Sequence, residues 1–173
     1  AQGGDWGSMV SRHLADVDRD HVCGVHVNMW TGSPPKDDPT AFDRLTAREK
    51  AHLARSADYQ ATGSGYVAIQ STRPQTLAYG LNDSPSGLLG WIVEKFRAWS
   101  DCDGDVERSY TKDQLLTNVM IYVMTGSFTT GAWYYRGLIE EGGVNLPEGQ
   151  RCETPTAFAN FPGEALYSAP PRS

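Results

Sequence analysis

Asp5 stands between two glycines, Gly3 and Gly7, each two residues away, with Gly4 and Trp6 filling the places between. Such a frame lets the backbone reverse sharply between a strand and a helix, and it carries the central side chain at the tip of the turn. With a carboxylate at that tip, the available chemistry is attack on an electrophilic carbon to form an ester that water can later open. A nucleophile of this kind suits alkyl electrophiles, chiefly epoxides and alkyl halides. An epoxide makes a second demand, because its ring oxygen leaves poorly unless an acid or hydrogen-bond donor meets it. Tyrosine suits that task, and the chain has 8 tyrosines. Taken singly, each of them reads first as an amphipathic packing residue.

An elbow needs a strand before it and a helix after it. Met9, Val10, Leu14 and Val17 recur at near-helical spacing, so the helix leaving the elbow is expected to press this apolar face on a sheet. Its first amides are expected to point back at Asp5. Residues 22–29 are short, apolar and rich in β-branched side chains, as in a buried parallel strand. The strand that should feed the elbow is expected to lie ahead of Ala1, and the sequence reads as a piece of a longer protein.

Farther along, residues 31–39 are dense in turn formers and helix breakers, and helical patterns follow. This divides the chain into a first part at 1–32, a helical region at 33–140 and a last part at 141–173. Thr46-Ala47-Arg48-Glu49 fits a capping box, predicting a helix to about Tyr59. The stretch Tyr66 to Gln70 has no strong period. Pro74 fits a helix start, and Ser84-Pro85 fits an N-cap followed by proline, with Leu88, Leu89, Ile92, Phe96 and Trp99 on one face. Thr111-Lys112-Asp113-Gln114 is a second capping box, ahead of an apolar stripe at Leu115, Val119, Met120, Val123 and Met124 that Gly126 should stop. A last short strand is expected at 156–159.

Composition narrows the function. The formal net charge is -6 and no dense Lys/Arg cluster occurs, which argues against a nucleic-acid partner. Cys23, Cys102 and Cys152 are far apart, implying neither a zinc site nor a disulfide framework. No apolar run approaches the roughly 20 residues of a membrane span, and the first residues lack a signal-peptide pattern, so a cytoplasmic location is expected. Asp101-Cys102-Asp103-Gly104-Asp105 alternates carboxylates as a calcium loop does, but its glycine is misplaced for that motif, leaving a solvated acidic loop. No cofactor and no metal are expected.

The sequence resembles the microsomal-type epoxide hydrolases of the α/β-hydrolase superfamily. The resemblance is carried by Gln2-Gly3-Gly4-Asp5-Trp6-Gly7-Ser8, Gly24-Val25-His26-Val27-Asn28-Met29, Gly65-Tyr66-Val67-Ala68-Ile69-Gln70, Leu81-Asn82-Asp83-Ser84-Pro85-Ser86-Gly87-Leu88, Glu94-Lys95-Phe96, Leu115-Leu116-Thr117-Asn118 and Phe161-Pro162-Gly163-Glu164. It implies a partial α/β-hydrolase fold, a mainly parallel core sheet with an inserted helical lid. It further implies Asp5 as nucleophile, Trp6 as backbone oxyanion donor, Tyr66 and Tyr135 as donors to the epoxide oxygen, and Glu164 as the acid that orients a histidine base. Tyr134 adjoins Tyr135; Tyr135 is preferred because Arg136 follows it, as a basic residue does in the family. The substrate would be a small hydrophobic epoxide and the co-substrate water, in detoxification or aromatic hydrocarbon catabolism.

The histidine itself is not found in its place. The superfamily order is nucleophile, acid, histidine, yet His13, His21, His26 and His52 all precede Glu164. Solvated or packing roles are expected for these four, and the chain alone is expected not to turn over. Two rival readings remain at this level. A haloalkane dehalogenase would share the Asp-Trp-Gly elbow, and Tyr66 speaks for epoxides because a halide leaves without protonation. An inactive member that binds hydrophobic ligands would also lack the base.

Overall fold

The computed structural model describes residues 1–29, 40–143, 152–161 and 164. The chain forms two compact units, Ala1–Thr62 with Val144–Ser173, and Gly63–Gly143. The expected boundary at 31–39 lies outside the described residues.

The first unit is built on three short parallel strands, β1 (Gln2–Gly3), β2 (Val25–Val27) and β3 (Thr156–Phe158), in the order β1-β2-β3. Gln2 pairs with His26 and Gly3 with Val27, while Val25, His26 and Val27 pair with Thr156, Ala157 and Phe158. The strand leading to the elbow was expected ahead of Ala1. Its last two residues are instead present as β1, because Gln2 and Gly3 register against β2 and the Ala1 carbonyl accepts from the His26 amide at 2.9 Å. Parallel strands need a crossover, and helix α1 (Trp6–Val17) supplies it between β1 and β2. Ala15, Val25 and Val27 form the core, with Val22, Cys152 and Phe158 packed on it.

The buried face of α1 is not the apolar one that the spacing predicts. Ser8, Ser11 and Ala15 are buried, whereas Val10, Leu14 and Val17 are 48%, 41% and 61% exposed. Close approach explains the inversion. A Cβ on Gly3 would stand 2.0 Å from the Gly7 carbonyl oxygen and 2.8 Å from the Ser11 hydroxyl, so only small side chains fit between strand and helix. Helix α2 (Ala47–Thr62) starts at the predicted box: the Thr46 amide donates to Glu49 at 2.7 Å and the Glu49 amide to the Thr46 hydroxyl at 3.3 Å. It runs three residues past the predicted end and buries no side chain.

The second unit is helical: α3 (Gly65–Thr72), α4 (Pro74–Asp83), α5 (Pro85–Trp99), α6 (Lys112–Thr125) and α7 (Phe128–Glu140). The stretch without a strong period thus folds as α3. The Ser84 hydroxyl caps α5 by accepting from the Gly87 amide, the Thr111–Gln114 box caps α6, and Gly126 ends α6 at φ 62, ψ 23. Leu88, Val119, Phe128 and Ala132 are the core, and each fully buried large apolar side chain stabilises by roughly 1.5–3 kcal/mol. Two polar contacts lock α7 to α4, Trp133 Nε1 to Gln75 at 3.0 Å and Asn82 to the Thr129 hydroxyl at 2.7 Å. The acidic loop is solvated as expected: Asp103 pairs with Arg108 at 2.7 Å and Asp105 accepts from the Glu107 amide. Among the described residues no helix is long and apolar enough to cross a membrane, and no cluster of side chains could hold a metal ion.

Candidate active site

Asp5 sits at φ 48, ψ -124, one of two non-glycine residues with positive φ among those described. A side chain at that angle is disfavoured by roughly 1–3 kcal/mol and persists only where its surroundings impose it. The surroundings here are β1 and α1, brought so close that Gly3 must lack a Cβ. Ser8 tightens the turn, its hydroxyl donating to the Gly3 carbonyl at 2.8 Å. Gly4 lies against Asn28 at the end of β2, where an added Cβ would come 2.8 Å from Oδ1. The outer glycine, Gly7, has nothing near enough to meet a Cβ, so the close approach depends on Gly3.

The Trp6 amide, first in α1, donates to the Asp5 carboxylate. Although Asp5 reaches solvent, the protein atoms crowding its carboxyl push its pKa above the ordinary 3.8; the Trp6 bond pulls it down, and the charge of Glu164 raises it further. Glu164 is partly buried, and its amide donates to the Phe161 carbonyl at 3.2 Å. Pro162 and Gly163 of that motif lie outside the described residues. His13, His21 and His26 are exposed and His52 is partly so. The three cysteines are free thiols.

In the helical unit, Tyr66 on α3 meets Tyr135 on α7 edge to face, ring centroids 5.8 Å apart at 82°. Such a pair contributes about 0.5–1.5 kcal/mol beyond area burial and fixes both rings. Tyr134, the neighbour of Tyr135, is 51% exposed. Trp99 on α5 abuts a second edge of Tyr66 at 5.8 Å. Lys95, also on α5, places its ammonium 4.9 Å from the Tyr66 ring centroid.

Along 96% of its length the chain is 35% identical to epoxide hydrolase 1 of Sus scrofa, covering 40% of that protein. A directed-evolution mutant of the Aspergillus niger epoxide hydrolase superposes with a TM-score of 0.81 at 32% identity, over 99% of this chain and 41% of that one. The chain is similar to epoxide hydrolases of the α/β-hydrolase fold, and its three parallel strands and helices are consistent with part of that fold. Juvenile hormone epoxide hydrolase of the silkworm Bombyx mori gives a TM-score of 0.70 at 29% identity, over 91% of this chain and 41% of that one. The chain thus spans about two fifths of the length of the epoxide hydrolases it matches. No protein-family model matches it.

Three residues that support Asp5 in the first unit and Tyr66 in the second were not singled out from the sequence. Ser8 and Ser11 were legible in principle, since with Ala15 they make a small-residue stripe at helical spacing. Lys95 had no such signal, because a charged residue beside an apolar helix face reads as solvated.

Proposed function

We propose that the protein to which these residues belong opens epoxides through a covalent ester on Asp5. One Asp5 carboxylate oxygen attacks a ring carbon, the carbon–oxygen bond breaks, and the departing oxygen takes a proton or a strong hydrogen bond from the Tyr66–Tyr135 pair. Water then cleaves the ester, releasing the diol and restoring the carboxylate. The oxyanion formed in that second step is assigned to the Trp6 amide, which already donates to Asp5. Glu164 is assigned to orient the base. Residues 33–140 are read as the lid.

The observation that carries the reading is the forced backbone at Asp5, φ 48 and ψ -124, with the Trp6 amide on its carboxylate. The paired tyrosines favour an epoxide over an alkyl halide, whose leaving group needs no proton. Incubation with styrene oxide and intact-mass spectrometry tests it. The wild-type chain should gain one epoxide equivalent, mapped to the peptide holding Asp5, and Asp5→Asn should gain none. Equal labelling of Asp5→Asn would reject Asp5 as the nucleophile.

A further inference from the structure

Lys95 is an uncommon residue to find where it is. Its side chain is only 18% exposed, and lysines are seldom buried unless something offsets the loss of water around the ammonium. Four groups do so here. Nζ donates to the Gly63 carbonyl at 3.1 Å, lies 2.9 Å from Glu94 Oε2, and stands over the face of Tyr66 at 4.9 Å from the centroid, with Trp99 at 5.9 Å. Gly63 lies just ahead of α3, so one ammonium ties the approach to that helix to the ring that α3 carries. A methionine would fill the same space without the cost of burying a charge. The positive charge is therefore the feature to be explained.

We infer that Lys95 is a positioning residue for Tyr66, its ammonium fixing the ring and stabilising the negative charge that grows on the phenol as it donates to the leaving epoxide oxygen. The inference rests on the assignment of Tyr66 made above. A cation over a ring face is attracted to its electron density, and it attracts a phenolate more than a phenol. Trp99 and Tyr135 pack on the same ring in T-shaped contacts, with centroids 5.8 Å away in each case. Lys95, paired with Glu94, stands over the ring from α5, and Tyr135 meets it from α7.

The test follows Asp5 alkylation by styrene oxide in the 173-residue chain and, independently of activity, the ionisation of Tyr66 by NMR of ring-labelled tyrosine, assigned with Tyr66→Phe. Lys95→Met should slow alkylation about tenfold, a part of the 10²–10⁴ that a positioned proton donor contributes, and move the Tyr66 midpoint to higher pH. Lys95→Arg should recover most of both, since a guanidinium also binds an aromatic face. An unchanged rate and midpoint in Lys95→Met, or Lys95→Arg no better than Lys95→Met, overturns the inference. If Lys95→Met does not fold, Lys95→Gln takes its place in both measurements, with the same outcomes supporting or overturning the inference. Full-speed alkylation by Tyr66→Phe would reject the tyrosine assignment itself, whereas slow Tyr66→Phe beside normal Lys95→Met rejects only the lysine.

Discussion

Asp5 is held against two preferences at once, a backbone angle that suits glycine and a crowded site that disfavours its charge. Both follow from placing a carboxylate at the tip of an elbow. Crowding is the larger influence on its proton and Glu164 adds to it, so the carboxyl ionises above the ordinary 3.8. Only the ionised form can attack carbon. Alkylation should therefore rise with pH through a midpoint above that of an ordinary aspartate, and Glu164→Gln should move the midpoint down by removing a repelling charge. Single-turnover labelling across a pH series measures both; a midpoint that moves up in Glu164→Gln contradicts the arrangement. Stability should run in the opposite sense. The folded chain holds the Asp5 proton more tightly than the unfolded chain, so this residue's contribution is favourable at acid pH and is lost as pH rises from 3.8 through the folded-state value. Asp5→Asn should thus melt higher than wild type at neutral pH and gain little in acid.

At the scale of elements, the caps and stops were plain in the sequence because each is local. A threonine hydroxyl and a side chain three residues on satisfy free amides wherever they occur, and both predicted boxes formed. The face of α1 was not legible in that way. Apolar periodicity predicts burial of Val10, Leu14 and Val17, yet the strand approaches so near that Ser8, Ser11 and Ala15 take the inner face. Substitutions should reveal this inversion. Ser11→Leu should destabilise by about 1–3 kcal/mol through overpacking, while Leu14→Ser should cost no more than about 0.5 kcal/mol in this chain. Urea melts of the two variants check it, and the reverse ranking would restore the apolar face as the packed one.

At the scale of the whole molecule, two compact units each carry a core of their own. In the helical unit Leu88 is 1% exposed and contacts residues from several helices, so Leu88→Ala should cost about 2–5 kcal/mol. The Tyr66–Tyr135 contact depends on α3 and α7 packing against each other. The same variant should therefore loosen the pair, visible as broadened or shifted tyrosine ring resonances. A melt within about 0.5 kcal/mol of wild type would show that this core is not what holds the unit.

Sequence alone determined where the chain turns. The glycine frame marked the turn at Asp5, the caps and prolines marked most helix starts, and the β-branched run at 22–29 marked β2, because each depends on a residue's own backbone limits and on neighbours within a turn. Tertiary structure decided which surfaces meet. It buried the small face of α1, set Tyr135 edge to face with Tyr66, and laid Lys95 over the Tyr66 ring. Those outcomes depend on side chains from distant parts of the chain competing for the same space, and no local pattern encodes that competition.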